Sequence, residues 1–197
     1  MKNFSVVLIA LATLLGTGIF AQTESHPLQI AIETDLVDIG IGGFGIWGSI
    51  QQHKNRLSIS YVNIPNRYRG IYNDTGIKDH DQFLRLSLWR YWNDKYRFFY
   101  GINGEYHWRK LTEDENTEKL SEDDIQIGAI VGYHWRPFHE KENNLKKLSF
   151  SAWAGVNFRL PSMREARVFE QTGSVYELPS VFEPTGGINV IYTFNNK

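Results

Sequence analysis

The sequence predicts an all-β fold, an eight-stranded antiparallel up-and-down transmembrane β-barrel, on three observations. Along eight segments, apolar and polar residues alternate with a period of two, as in strands whose two faces meet different surroundings. The connections alternate between shorter turns near positions 53 and 94 and longer loops near 70, 115 and 170, with the turn near 142 longer than the pattern asks. Aromatic residues gather at the ends of the apolar stripes, at Tyr106 and Trp108, Tyr133 and Trp135, and Tyr192 and Phe194.

The chain opens with Lys2, an apolar run from Phe4 to about Leu15, and the small residue Ala21 ahead of Gln22. This is the layout of a secretory signal peptide over residues 1–21, leaving 22–197 as the barrel domain. The apolar run is shorter than the roughly 20 residues a membrane-spanning helix needs. Removing it takes away one of the 21 basic side chains, so 20 face 22 acidic ones in the mature chain. A near-neutral balance excludes a general nucleic-acid binder, which needs a strongly basic face. With no cysteine, disulfide scaffolds, thiol catalysis and Cys-ligated metals are excluded as well.

The first strand sets Leu28, Ile30 and Ile32 against Gln29, Ala31 and Glu33. A glycine-rich connection leads to the second, where Phe44, Ile46, Gly48 and Ile50 alternate with Gly45, Trp47, Ser49 and Gln51. His53-Lys54-Asn55-Arg56 reads as a tight turn, followed by Leu57, Ile59 and Tyr61 in the third strand. A long polar connection is expected from about Asn63 to His80. The fourth strand sets Leu84, Leu86 and Leu88 against Phe83, Arg85, Ser87 and Trp89, and Asn93-Asp94-Lys95 is its turn. The fifth sets Phe98, Tyr100, Ile102, Tyr106 and Trp108 against Phe99, Gly101, Asn103, Glu105, His107 and Arg109.

An acidic loop is expected from Leu111 to Asp123. The sixth strand then sets Ile125, Ile127, Ala129, Val131, Tyr133 and Trp135 against Gln126, Gly128, Ile130, Gly132, His134 and Arg136. After a turn from Pro137 to Lys147, the seventh sets Leu148, Phe150, Ala152, Ala154, Val156 and Phe158 against Ser149, Ser151, Trp153, Gly155, Asn157 and Arg159. Within the next connection, 161–182, a short hairpin around Thr172-Gly173 is expected to stand outside the membrane, its arms being too short to cross. Ile188, Val190, Tyr192 and Phe194 form the eighth strand.

Polarity decides which face meets lipid. One face carries Glu33, Arg85, Asn103, Glu105, His107, Arg109, His134, Arg136, Asn157 and Arg159 among glycines and serines, a mixture suited to a narrow lumen where charges pair. The reverse arrangement, a lipocalin-like barrel with an apolar interior, fits that face poorly. The phrase Tyr-His-Trp-Arg occurs twice, at 106–109 and 133–136. Placed on antiparallel neighbours, its aromatics mark opposite membrane rims. With Trp108 beside Ile125, Trp135 lies ten residues further along, and about 3.3 Å per residue at a tilt of about 40° gives roughly 25 Å, the height of an outer-membrane apolar band.

On these residues the chain resembles the small eight-stranded outer-membrane barrels, the OmpA transmembrane-domain and OmpX-like class, across essentially the whole mature length. The closing Ile191-Tyr192-Thr193-Phe194 resembles the aromatic-ending final strand that barrel-assembly machinery reads, with Asn195-Asn196-Lys197 added beyond it. The resemblance implies a Gram-negative cell envelope, with the barrel in the bacterial outer membrane and both termini periplasmic. Outer-membrane lipids, lipopolysaccharide and the assembly machinery are then its partners, and the outer loops are free to meet an extracellular one.

Three functional classes fit that architecture: a non-enzymatic barrel with a side-chain-plugged polar lumen in a structural or loop-interaction role, a lipid-modifying acyl hydrolase or transferase, and a narrow, porin-like small-solute pore. No catalytic residue, metal ligand set or cofactor is expected. Gly40-Ile41-Gly42-Gly43-Phe44-Gly45 matches a dinucleotide fingerprint literally, but a strand continues where that fingerprint needs a helix to open. His80 and His107 near the outer rim, with Ser162 and Ser174 in the loops, show no catalytic motif. Glu113, Asp114, Glu115, Glu118, Glu122, Asp123 and Asp124 lack the carboxylate spacing of a calcium loop and read as a solvated acidic loop. Arg67, Arg69, Arg164 and Arg167 in the other outer loops have the chemistry to clamp lipid phosphates bidentately, with plain surface solvation as the default reading.

Overall fold

The computed structural model describes residues 27–68, 77–92, 97–113, 119–138, 144–160, 167–168, 175–176 and 181–194. The expected signal peptide lies outside them. In chain order the elements are β1 (Gln29–Asp35), the short helix α1 (Leu36–Gly40), β2 (Phe44–Gln52), β3 (Asn55–Tyr68), β4 (Ile77–Tyr91), β5 (Phe98–Glu113), β6 (Lys119–Trp135), a 3-10 turn (Asn144–Lys147), β7 (Leu148–Arg159), β8 (Arg167–Val168), β9 (Val175–Tyr176) and β10 (Phe182–Thr193).

All the strands except β8 and β9 close into one barrel, in the order β1-β10-β7-β6-β5-β4-β3-β2. Every neighbouring pair is antiparallel, and β10 meets β1 through Ile32↔Tyr192 and its flanking pairs. Closure gives each of these eight strands a neighbour on both sides, which removes the sheet edges that template aggregation. β8 and β9 pair only with each other, Arg167↔Tyr176 and Val168↔Val175, in the segment where the sequence places a short hairpin. The barrel thus has a termini end, where β1 starts and β10 finishes, and a loop end, which carries α1 and the β8–β9 connection.

The period-two pattern reads out as inside and outside. In β2, for example, Phe44, Ile46 and Gly48 are exposed while Gly45, Trp47, Ser49 and Gln51 are buried. Around the barrel, Ile30, Ile32, Phe44, Ile46, Ile59, Leu84, Tyr100, Ile102, Ile127, Val131, Val156 and Ile188 keep 40–62 % of their surface exposed. Glu33, Arg56, Arg85, Glu105, Arg109, Asp124 and Arg159 are buried. Polarity is therefore inverted relative to a water-soluble protein, whose charges face solvent.

Five expectations need correcting. The 63–80 connection is shorter than the sequence suggests: β3 runs to Tyr68 and β4 starts at Ile77, with a bulge between Ile64 and Arg67. Bulges bend a strand while letting pairing resume, so the polar residues beyond the bulge still extend the sheet. The acidic segment is mostly strand too. Thr112 pairs with Lys119, and Glu122 and Asp124 point inward, buried, rather than into solvent. Asp114, Glu115 and Glu118 lie outside the described residues.

The β5–β6 register also differs by two residues. Trp108 faces Asp123, and it is Tyr106 that faces Ile125. Tyr133 is then about 20 Å from Tyr106 along the axis and Trp135 about 30 Å from Trp108, at about 3.3 Å per residue and a tilt of about 40°. Neither spacing is the roughly 25 Å that the expected register gave. The turn at 53 is only His53-Lys54, with His53 at φ 49°, and Arg56 belongs to β3 with its side chain buried inside. The last barrel strand begins at Phe182, six residues ahead of Ile188, the first residue that the alternation assigns to it.

The glycine-rich connection after β1 contains α1, whose N-cap Asp35 accepts a hydrogen bond from the Val37 amide at 2.8 Å. Gly42 has φ 82°, a conformation glycine adopts without steric cost. At Gly43 a Cβ would stand 2.6 Å from the Asn63 carbonyl oxygen, so the close approach to β3 requires glycine. β2 starts at Phe44 and no helix opens at the last glycines, so the geometry of a phosphate-binding turn is missing.

Candidate functional site

The interior is layered. Near its middle, Trp47, Trp89, Tyr91, Phe99, Ile130 and Trp153 form one buried cluster. Trp89 stacks on Phe99 with centroids 4.7 Å apart and planes at 11°, while Trp47 meets Trp89 at 6.1 Å and Trp153 edge-on at 5.9 Å. These rings come from β2, β4, β5 and β7, so they meet across the lumen. Glycines make room for them: a Cβ on Gly101 would stand 2.9 Å from Trp89 Cδ1.

On the loop-end side of this layer lies a continuous acid-base network. Arg85 Nε donates to Glu105 Oε1 at 2.7 Å, and the same oxygen accepts from Asn103 Nδ2 at 2.6 Å and Asn157 Nδ2 at 2.8 Å. Glu105 Oε2 is 2.8 Å from His107 Nε2, and His107 Nδ1 is 3.0 Å from Asp81 Oδ1. Both ring nitrogens face carboxylate oxygens, an arrangement satisfied when both carry protons. Arg109 donates to Asp124 Oδ2 at 2.7 Å and lies 3.4 Å from Asp81, while Arg159 joins Asp124 at 3.1 Å to Glu183 at 2.8 Å. Gln126 adds a further bond to Glu183 at 3.2 Å.

On the termini-end side, Arg56 Nη2 bonds both Glu33 Oε1 and Ser49 Oγ, its Nη1 donates to the Tyr91 hydroxyl at 3.3 Å, and that hydroxyl is 2.9 Å from His134 Nδ1. Asn189 Nδ2 donates to Glu33 Oε2 at 3.1 Å. Glu33 and Arg56 are thus an ion pair inside the wall.

Of the ten residues assigned to the lumen from the sequence, Glu33, Arg85, Asn103, Glu105, His107, Arg109, His134, Asn157 and Arg159 are buried inside, and Arg136 is half-buried just beyond β6. They do not form one group: His134 and Glu33 belong to the termini-end cluster with Arg56, and the others, Arg136 apart, to the loop-end network. Sequence reasoning missed Arg56, Asp79, Asp81, Tyr91, Glu122, Asp124, Glu183 and Asn189. Parity was the available signal, since Asp79 and Asp81 are in step with Arg85, and Glu122 and Asp124 with Gln126.

The six aromatics assigned to the lipid interface all point outward, Trp135 and Phe194 exposed and Tyr106, Trp108, Tyr133 and Tyr192 half-exposed. Trp108 stacks beside Tyr61 at 6.1 Å and donates to Gln82 Oε1 at 2.6 Å, and Tyr106 donates to Asp123 at 2.9 Å. Both combine an apolar body with a polar tip, as interface aromatics do. His80 bonds Asn63 at 2.7 Å and His107 bonds two carboxylates, so each holds partners other than the serine hydroxyl that nucleophilic catalysis needs. Ser162, Ser174, Arg69 and Arg164 lie outside the described residues.

A cavity of about 140 Å³ opens from the loop end between α1 and β10, with Arg85, Glu105 and Trp153 among its lining groups. A second, of about 10 Å³, lies at the termini end between Arg56, His134 and Arg136. The aromatic layer stands between them.

No protein-family model and no curated protein matches the chain. Among solved structures it is similar to Neisserial surface protein A (10% identity, TM-score 0.47, covering 85% of this chain and 96% of that one). It is also similar to the N-terminal β-barrel domain of Pseudomonas aeruginosa OprF (15% identity, TM-score 0.40, covering 84% and 97%). A third similar structure is a major outer membrane protein of Thermus thermophilus (12% identity, TM-score 0.45, covering 86% and 100%). The barrel itself stands on the strand pairing described above.

Proposed function

We propose that this chain is a non-enzymatic barrel of the bacterial outer membrane, its lumen plugged by its own side chains, serving envelope integrity or presenting its loop end to an outside partner. The observation that carries the reading is the inverted polarity: large apolar side chains exposed all round the barrel, ion pairs and carboxylates enclosed. Such a surface is stable against hydrocarbon and unstable against water. A closed sheet satisfies its own backbone, which the hydrocarbon region also requires.

The plug reading is supported by the aromatic layer and by the pairing of the interior charges on either side of it. With the termini end in the periplasm, α1 and the long connections face outward, where lipopolysaccharide and extracellular partners meet them, and β10 offers its aromatic end to the assembly machinery. Membrane fractionation tests the location: the mature chain is expected in the outer membrane with heat-modifiable gel mobility, and recovery from the soluble periplasm overturns the reading. Planar-bilayer recording tests the plug, with steady conductance favouring the pore. A changed lipid A or phospholipid profile on deleting the gene favours the enzyme.

A further inference from the structure

We propose, on the footing of the outer-membrane reading, that α1 is a lipid-contacting helix: Leu36 and Ile39 meet the acyl chains of the leaflet at the loop end and extend the barrel's apolar surface past the end of β1. α1 and the turn behind it, Leu36-Val37-Asp38-Ile39-Gly40-Ile41-Gly42-Gly43, carry four large apolar side chains and a single charge. Leu36, Val37, Ile39 and Ile41 are all exposed, by 41–52 %.

The charge points inward. A Cβ on Gly45, on the inner face of β2, would stand 2.5 Å from Asp38 Oδ2, so this carboxylate lies on the lumen side of the wall. Val37 and Ile41 border the larger cavity. At about 100° per residue, Leu36 and Ile39 fall on the opposite side of the helix from these three.

Height places that side in hydrocarbon. The seven residues of β1 climb about 18 Å at about 3.3 Å per residue and a tilt of about 40°, less than an apolar band of about 25 Å. The chain therefore leaves the wall below the rim of the band. Beside the top of β1, where Thr34 faces Ile46 and Asp35 faces Asn189, Ile46 and Ile188 are exposed apolar residues of β2 and β10. Leu36 and Ile39 continue that surface. A face continuous with the barrel's apolar belt and set below its rim meets acyl chains before it meets an extracellular protein.

Hydrocarbon offers no partner to a free backbone group. Here Asp35 Oδ1 accepts from the Val37 amide at 2.8 Å, and the Ile41, Gly42 and Gly43 amides donate to the Val37, Ile39 and Asp38 carbonyls at 3.1, 3.1 and 2.8 Å. The helix and its turn supply these partners from within, as a segment in lipid must.

The chain has no cysteine, so one introduced thiol carries one nitroxide label. Ile39→Cys is labelled in phosphatidylcholine vesicles, with Ile127→Cys as the mid-strand reference and Lys119→Cys, exposed at the start of β6, as the water reference. Power saturation reads collision with oxygen, which concentrates in hydrocarbon, against collision with a nickel chelate, which stays in water on both sides of the membrane. At Ile39 oxygen is expected to dominate, as at Ile127. Dominance of the chelate, as at Lys119, overturns the proposal. Weak collision with both reagents means that protein covers the face, and overturns it as well. Dominance of the chelate at Ile127 overturns the outer-membrane reading instead, so the two failures are distinct. Heat-modifiable gel mobility confirms that each variant folds, and Leu36→Cys takes the place of Ile39→Cys if the latter does not.

Discussion

Arg85 and Arg56 lie against opposite faces of one aromatic layer: Arg85 Cζ is 4.8 Å from the Trp153 ring and 5.2 Å from Trp47, and Arg56 Cζ is 5.1 Å from Trp89. Each cation meets the negative face of a ring on one side and a carboxylate on the other, Glu105 for Arg85 and Glu33 for Arg56. The layer therefore separates the two cavities and also anchors both ion pairs. The pair of substitutions Trp47→Ala and Trp153→Ala removes two of the rings that meet Arg85, and is expected to turn a silent barrel into a conducting one in planar bilayers. Each single change is expected to cost about 3–5 kcal/mol in urea unfolding. Silence in the double variant would move the barrier elsewhere.

Glu105 accepts from Arg85, Asn103 and Asn157 and pairs with His107, so its loss strands several donors at once. Glu105→Ala is expected to destabilise the folded barrel by about 3–5 kcal/mol, because a buried guanidinium is left without its counter-charge. Adding Arg85→Met removes that charge and is expected to recover a measurable part of the loss. Equilibrium unfolding of both variants in lipid vesicles decides it, and equal stability of the two denies the coupling.

Glycines are not equivalent in this wall. At Gly101 a Cβ meets Trp89 and the Leu88 backbone, whereas at Gly48 it meets nothing within 4 Å. Gly101→Ala is expected to cost about 1–3 kcal/mol through displacement of the Trp89–Phe99 stack. Gly48→Ala is expected to be near neutral, so the difference in unfolding midpoint between the two reads the packing of the layer.

The outer face gives a test that depends on depth. Ile127 is 54 % exposed mid-strand, while Trp135 ends β6. Ile127→Lys is expected to destabilise by about 2–4 kcal/mol in bilayers, against about 0–1 kcal/mol for Trp135→Lys. Equal tolerance at both positions would mean that water, not hydrocarbon, surrounds the barrel.

Strand number, order and inside-outside assignment were legible because period-two alternation survives wherever a residue belongs to a strand. Strand ends were not, because polar residues near the mouth face water or ion partners and lose the contrast that alternation needs. Asp79, Glu122 and Asp124 look like loop residues in composition, yet Arg109 and Arg159 on neighbouring strands hold Asp124 inside. The aromatic layer had a trace in the sequence, since Trp47, Trp89, Phe99 and Trp153 all share parity with the polar positions. What the sequence lacked was their common height, which only the registers Trp89↔Gly101 and Gly132↔Trp153 supply.

β1 and β2 have 7 and 9 residues, whereas β3, β4, β5 and β6 have 14, 15, 16 and 17. The loop end is consequently cut on a slant, like a quill, with its high lip on β3–β6 and its low lip at α1. Val37 and Ile41 of that low lip border the larger cavity. Among the described residues the larger cavity therefore borders the lowest stretch of the wall, with α1 as its sill.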